Sequence, residues 1–246
     1  MIKILSAIFI VTLITSFSVN DVFGKTTIDV TKVFYAPEGT QPSGLAWHGG
    51  YLWLSSYIKN AGIYKINTSD GSVVVFSKPK VRMKGRYGGL AANQFSVFHL
   101  QANNGKNALE IKTPNGIVNR EFIVKAGAIN YSDMSVFENS LYVVGNNNAL
   151  NGDDYRLYKI DYYGNVLNQI PFKQGTEIVQ NHGLTSDGLS LWISSGDRLI
   201  RVNPESGIEL ESFPLPNNRI ESLAWDGEFI WAASFNGDIY KIFVNK

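Results

Sequence analysis

Gly44-Leu45-Ala46-Trp47-His48-Gly49-Gly50-Tyr51-Leu52-Trp53 returns near the far end of the chain as Ser222-Leu223-Ala224-Trp225-Asp226-Gly227-Glu228-Phe229-Ile230-Trp231. A third copy reads Gly183-Leu184-Thr185-Ser186-Asp187-Gly188-Leu189-Ser190-Leu191-Trp192. Two degenerate copies begin at Gly89-Leu90-Ala91-Ala92 and Asp133-Met134-Ser135-Val136. The apolar second position marks the period, at residues 45, 90, 134, 184 and 223. The spacings are 45, 44, 50 and 39 residues, in the range where repeated units bury their faces against one another.

Each unit reads as short β-rich runs separated by turn signals. The first strand runs through the marker. A tight turn follows (His48-Gly49-Gly50, Asp187-Gly188, Asp226-Gly227), built from residues that tolerate positive φ. A second strand carries Tyr51–Ser55 or Phe229–Ala233, and a third carries Ile63-Tyr64-Lys65-Ile66 or Ile239-Tyr240-Lys241-Ile242. A further turn, such as Ser69-Asp70-Gly71, leads to a fourth strand. Four antiparallel strands at this period make a propeller blade, so the units predict an all-β, five-bladed β-propeller. The fifth unit ends after its third strand, at Phe243–Lys246, and Ile28–Tyr35 is a spare strand ahead of the first unit. That segment is expected to complete the last blade and close the ring, leaving no open sheet edge there.

The first residues do not share the repeat. Lys3, the apolar run Ile4–Ile14 and the Val22-Phe23-Gly24 stretch have the layout of a secretory signal, with residues 1–24 removed and residues 25–246 forming one domain. The run is short of the roughly 20 apolar residues of a membrane span. The expected location is secreted or periplasmic, with no membrane span after cleavage. No cysteine is present, which excludes a disulfide and lipid attachment through cysteine. Stability must then come from a packed core, for which an aromatic content of 13% is suited. A net charge of +1 without a basic block argues against nucleic acid as a partner.

First-strand starts and second-strand ends meet on one face, at the mouth of the central channel, and loops on a rigid scaffold commonly carry function. The five repeats serve as controls for one another. Before the marker stand Gly44, Gly89, Asp133, Gly183 and Ser222, and one position earlier Ser43, Gly88, Ser132, His182 and Glu221. Blades three, four and five therefore each offer one ionisable group, Asp133, His182 and Glu221. Arg86 and Arg219 lie just upstream, with Gln41 beside them, and Tyr57, His99 and Asn236 come from second-strand ends. These residues are the candidate ligand-binding set. They suit strand-end capping and pairing with arginine, general acid/base or ligand-binding work, or, least of all, a hard divalent cation. No cofactor is expected, and no metal ligand set is assigned. His48 reads as a solvated turn residue, and Trp53, Tyr142, Trp192 and Trp231, each eight residues after a marker, read as core between blades.

The units Gly44–Ile66 and Leu223–Ile242 resemble secreted propellers of the glutamine cyclotransferase type, and more loosely the virginiamycin B lyase and gluconolactonase-like propellers. The cyclotransferases are five-bladed enzymes that convert N-terminal glutamine to pyroglutamate without a metal. Their first blade carries a Phe-Thr-Gln-Gly-Leu run and then a Tyr-Glu-Ser-Thr run whose Glu is expected to be catalytic. Here the first appears as Thr40-Gln41-Pro42-Ser43-Gly44-Leu45. The second reads Trp53-Leu54-Ser55-Ser56, with Leu54 where the Glu would stand. The proton-transfer group is missing, so the resemblance does not carry the activity. The expected role is a binding or interaction module for a small molecule, peptide or extracytoplasmic protein. The alternative is a cyclotransferase-, lyase- or lactonase-like enzyme.

Overall fold

A computed structural model describes residues 26–56, 62–78, 87–103, 106–125, 129–147, 155–172, 178, 183–215 and 219–245. The first strand, β1 (Thr27–Tyr35), stands apart from the blade that follows it. Blade one is β2 (Pro42–His48), β3 (Tyr51–Ser56), β4 (Gly62–Ile66) and β5 (Val73–Ser77). Blade two is β6 (Tyr87–Ala92), β7 (Val97–Asn103), β8 (Lys106–Lys112) and β9 (Val118–Val124). Blade three is β10 (Ile129–Phe137), β11 (Ser140–Asn147), β12 (Tyr155–Ile160) and β13 (Val166–Pro171). Blade four is β14 (Leu184–Ser186), β15 (Leu191–Ser195), β16 (Arg198–Val202) and β17 (Glu209–Pro214). Blade five is β18 (Ile220–Trp225), β19 (Ile230–Ser234) and β20 (Asp238–Asn245), with β1 as its outer strand. The innermost strands β2, β6, β10, β14 and β18 neighbour one another in a closed ring. This is a five-bladed β-propeller.

The ring closes as the spare strand predicts. β1 runs antiparallel to β20, from Thr27 opposite Asn245 to Tyr35 opposite Asp238. The first and last described strands thus complete one sheet.

Alternating side chains of each blade face its two neighbours, so every inter-blade gap is filled from both sides. Trp53, Phe98, Tyr142, Trp192 and Trp231, all at the eighth position after the marker, are at most 2% exposed. Phe98 is the blade-two member of this buried ring. The Trp192 and Trp231 indole N–H groups donate to Asp187 and Asp226 in the turns between first and second strands, at 3.0 and 2.7 Å. The other oxygen of each Asp accepts two backbone amides of its own turn. In blade one that Asp position is His48, and the buried Trp53 Nε1 has no hydrogen-bond partner.

Candidate functional site

Gly44, Gly89 and Gly183 let the five inner strands approach backbone to backbone around the axis. A Cβ on Gly44 would strike the backbone of Gly89 and Leu90, and one on Gly183 would strike Ser222. At the corresponding position of blade three, Asp133 sends its carboxylate into the axis. Its side chain is wholly buried. Oδ1 accepts the Met134 amide at 2.9 Å, and Oδ2 accepts the Leu184 and Leu223 amides at 3.0 and 3.4 Å. The Leu90 amide adds a fourth donor. Backbone donors from blades two, three, four and five therefore converge on one side chain. Burial pushes the Asp133 carboxyl well above the usual carboxylate range, against the pull of those four amides.

Beyond this ring the channel continues toward the opposite face as a cavity of about 60 Å³. Its wall is Leu45, Leu90, Met134, Leu184 and Leu223 and the two residues following each of them, among them Trp47 and Trp225. That is space for about two waters. Asp133 lies on the axis at the mouth side of this cavity.

At the mouth, Glu221 Oε1 lies 3.7 Å from Arg219 Nη2. The Arg219 guanidinium also sits 3.5 Å from the centre of the Phe235 ring, a cation–π contact. Gln41 is half-buried, and its backbone N–H donates to Ser56 Oγ at 2.9 Å. Asn236 is exposed in the turn between β19 and β20. Tyr57, Arg86 and His182 lie outside the described residues. Among the described residues no group of three His, Cys, Asp or Glu side chains is placed to hold a metal ion.

His99 lies inside the interface between blades one and two, where it is 1% exposed. Its Nδ1 is 3.3 Å from Glu110 Oε2, and Lys112 Nζ is 2.9 Å from the same oxygen. Gln101 Nε2 stands 3.5 Å from His99 Nδ1. Glu110 and Lys112 are wholly buried on β8. Burial by itself would raise the Glu110 carboxyl; hydrogen bonds and charge from His99 and Lys112 outweigh it and hold Glu110 at about 2. Burial lowers the His99 imidazole below its usual range, against the pull of the Glu110 carboxylate.

Sequence reasoning placed His99 at the mouth and missed Glu110 and Lys112. The signal was present in the repeat. His99 occupies the column of Leu54, Val143, Ile193 and Ala232; Glu110 that of Tyr64, Tyr158, Ile200 and Tyr240; Lys112 that of Ile66, Ile160, Val202 and Ile242. Three charge-bearing residues interrupt columns that are otherwise apolar or tyrosine.

No protein-family model matches the sequence, and comparison with curated proteins finds no match. Among solved structures, the chain is similar to the glutaminyl cyclase of Myxococcus xanthus, with a TM-score of 0.68 and 11% identity over 89% of this chain and 97% of that one. It is similar to a gluconolactonase of Xanthomonas campestris, with a TM-score of 0.53 and 12% identity over 88% and 89%. It is also similar to the virginiamycin B lyase of Staphylococcus aureus, at 0.50 and 13% over 89% and 99%. All three are propellers of the kinds the repeat resembles. At these identities the likeness shows the fold, and fold alone assigns no chemistry.

Proposed function

We propose that the protein is an exported β-propeller that binds a small molecule, a peptide or an extracytoplasmic protein at its polar channel mouth. The observation that carries this reading is the engagement of the mouth carboxylates. The Asp133 oxygens accept backbone amides around the axis, and Glu221 lies beside Arg219. A carboxylate engaged in this way serves structure, whereas a general acid or base needs access to its substrate. Leu54, where the cyclotransferase pattern has its Glu, is a fully buried core residue packed with Tyr64 and Trp231. Gln41, Arg219 and Asn236, together with Tyr57, Arg86 and His182, supply polar groups for recognition.

A thermal-shift screen of sugars, Gln-peptides and divalent cations tests the reading on wild type, Arg219→Ala and His182→Ala. A ligand that stabilises wild type but neither variant supports a mouth site, whereas equal shifts in all three would remove both residues from it. Conversion of a Gln-peptide to its pyroglutamyl form would sink the binding reading outright. Export is tested by the mass of the protein recovered outside the cytoplasm, which is expected to begin near Lys25.

One observation favours the enzyme alternative: Glu110 holds Nδ1 of His99, an arrangement that orients an imidazole base. The ring is 1% exposed, so a substrate would have to reach the interior between two blades. Lactone hydrolysis or elimination lost in His99→Gln would establish that alternative.

A further inference from the structure

The rim of the propeller is made of five outer strands, and four carry residues that blunt an exposed edge. β1 has Asp29 and Lys32; β9 has Arg120 and Glu121; β13 has Asn168, Gln169 and Pro171; β17 has Glu209 and Glu211. Charge and proline on an outer strand discourage pairing with another chain. β5 has neither: it reads Val73-Val74-Val75-Phe76-Ser77.

This strand is the outer member of its sheet, and Val73, Val74 and Phe76 are 45%, 50% and 42% exposed. Beside it, Ser77 Oγ donates to the Gly116 carbonyl at 2.7 Å, and the next residue, Ile117, is 67% exposed. The apolar surface therefore continues from the edge of blade one onto blade two. The strand also carries opposite charges at its two ends. Asp70 precedes it, with its carboxyl lowered by hydrogen bonds from the Ser72 amide and hydroxyl, and exposed Lys78 follows it.

We propose that β5 is a self-association edge, on which two copies of this chain pair β5 to β5 in antiparallel fashion across a two-fold axis. A strand with acid at one end and base at the other meets its complement when it pairs antiparallel with itself. A two-fold axis near Val74 sets Asp70 of each copy toward Lys78 of the other. Parallel pairing would set like charges together. Val73 of each copy then lies opposite Val75 of the other and Val74 opposite Val74, with Phe76 opposite Ser72, and the unpaired backbone groups of these edges find partners. Two five-residue strands bury a small area, so the dimer is weak and depends on concentration. The contact lies on the rim, away from the mouth, and is independent of what binds there.

Sedimentation velocity across the micromolar range reads this directly. The average mass of wild type is expected to rise toward twice that of one chain. Val74→Lys should stay at the mass of one chain throughout, with an unchanged melt because Val74 is half exposed. Lys78→Asp, which sets acid against acid, should weaken the dimer several-fold, and adding Asp70→Lys should restore it. Wild type that remains a single chain at every concentration overturns the proposal, as does Val74→Lys that dimerises like wild type. A double charge swap no better than Lys78→Asp overturns the antiparallel register, and with it the second copy as occupant.

Discussion

The gap between blades five and one and the gap between blades one and two are built to the same plan and filled in opposite ways. In the first, Trp231, Ala233 and Ile239 of blade five face Leu45, Leu52, Leu54, Tyr64 and Ile66 of blade one. Phe34 and Trp47 pack on the same cluster, and Trp47 stacks on Trp231 at 6.1 Å. In the second, Trp53 and Ile63 of blade one face Leu90 and Val97 of blade two, and that apolar cluster ends there apart from Ala46 and Ala92. The columns opposite Trp53 hold His99, Glu110 and Lys112. Trp231 donates to Asp226, whereas Trp53 Nε1 has no acceptor. A blade gap thus requires side chains of matching volume and period, and not apolar ones throughout. An ion pair fits there because Lys112 faces Glu110 at 2.9 Å, but it depends on both being present.

The sharpest way to break the contrast is to remove the acid. Glu110→Ala leaves Lys112 buried without its counter-charge and is expected to cost about 3–5 kcal/mol, lowering Tm on the order of 10 °C in a domain of this size. Leu54→Ala, across the other gap, leaves a cavity in apolar surroundings and should cost about 2–5 kcal/mol with no dependence on pH. A pH-independent loss in Glu110→Ala would show that the cluster's charge is not what holds the gap.

The same carboxylate gives the interface an acid limb. Glu110 sits at about 2 in the folded chain against an ordinary value of 4.5. Its contribution is therefore present above 4.5 and lost as pH falls through about 2, a few kcal/mol in all. Asp133 acts with the opposite sign: its raised pKa gives a contribution present at low pH and lost as pH rises. The Glu110 effect is accordingly read as a difference between wild type and a variant lacking the cluster, using denaturant melts at a series of pH values. A difference that stays constant below pH 4.5 would contradict the assignment.

Converting the polar gap into the apolar one is the complementary test. His99→Leu, Glu110→Tyr and Lys112→Ile together install the residues that blade one uses at these columns. Replacement of a buried ion cluster by packed apolar groups is commonly neutral or stabilising by about 1–4 kcal/mol. The triple variant should melt at or above the wild-type temperature and lack the acid limb. A large loss would mean that the gap's shape is specific to the charged set.

The smallest change concerns the turn. His48→Asp gives Trp53 Nε1 the acceptor that Asp187 and Asp226 supply in blades four and five, and should raise stability by about 1 kcal/mol. Its thermal melt would read this as a gain of a few degrees. No gain would mean that the Asp–Trp geometry of blades four and five does not transfer to the Gly49-Gly50 turn.

The period of the marker residues made the five blades legible, and the unmatched strand Ile28–Tyr35 made their closure legible. Both follow from local rules: strand alternation, turn chemistry and the need to satisfy every sheet edge. The candidate site was legible only as a set of exceptions. Asp133 stands out in the sequence as a charge in a column of small residues, and the structure places it on the axis among backbone amides. Its engagement with amides of four blades could not be read, because those donors are brought together by ring closure from positions 90 to 223 of the chain. Glu110 and Lys112 lie within strand columns, away from the loop-adjacent positions where site residues usually stand.

The sequence by itself determined the number of blades, their order and the segment that seals them, since these depend on spacing and on which strand lacks a neighbour. Only the tertiary structure decided that Asp133 gathers amides at the axis and that His99, Glu110 and Lys112 lie locked between blades. A strand fixes the direction of a side chain only relative to its own sheet; the partner across the gap is set by the curvature of the closed ring.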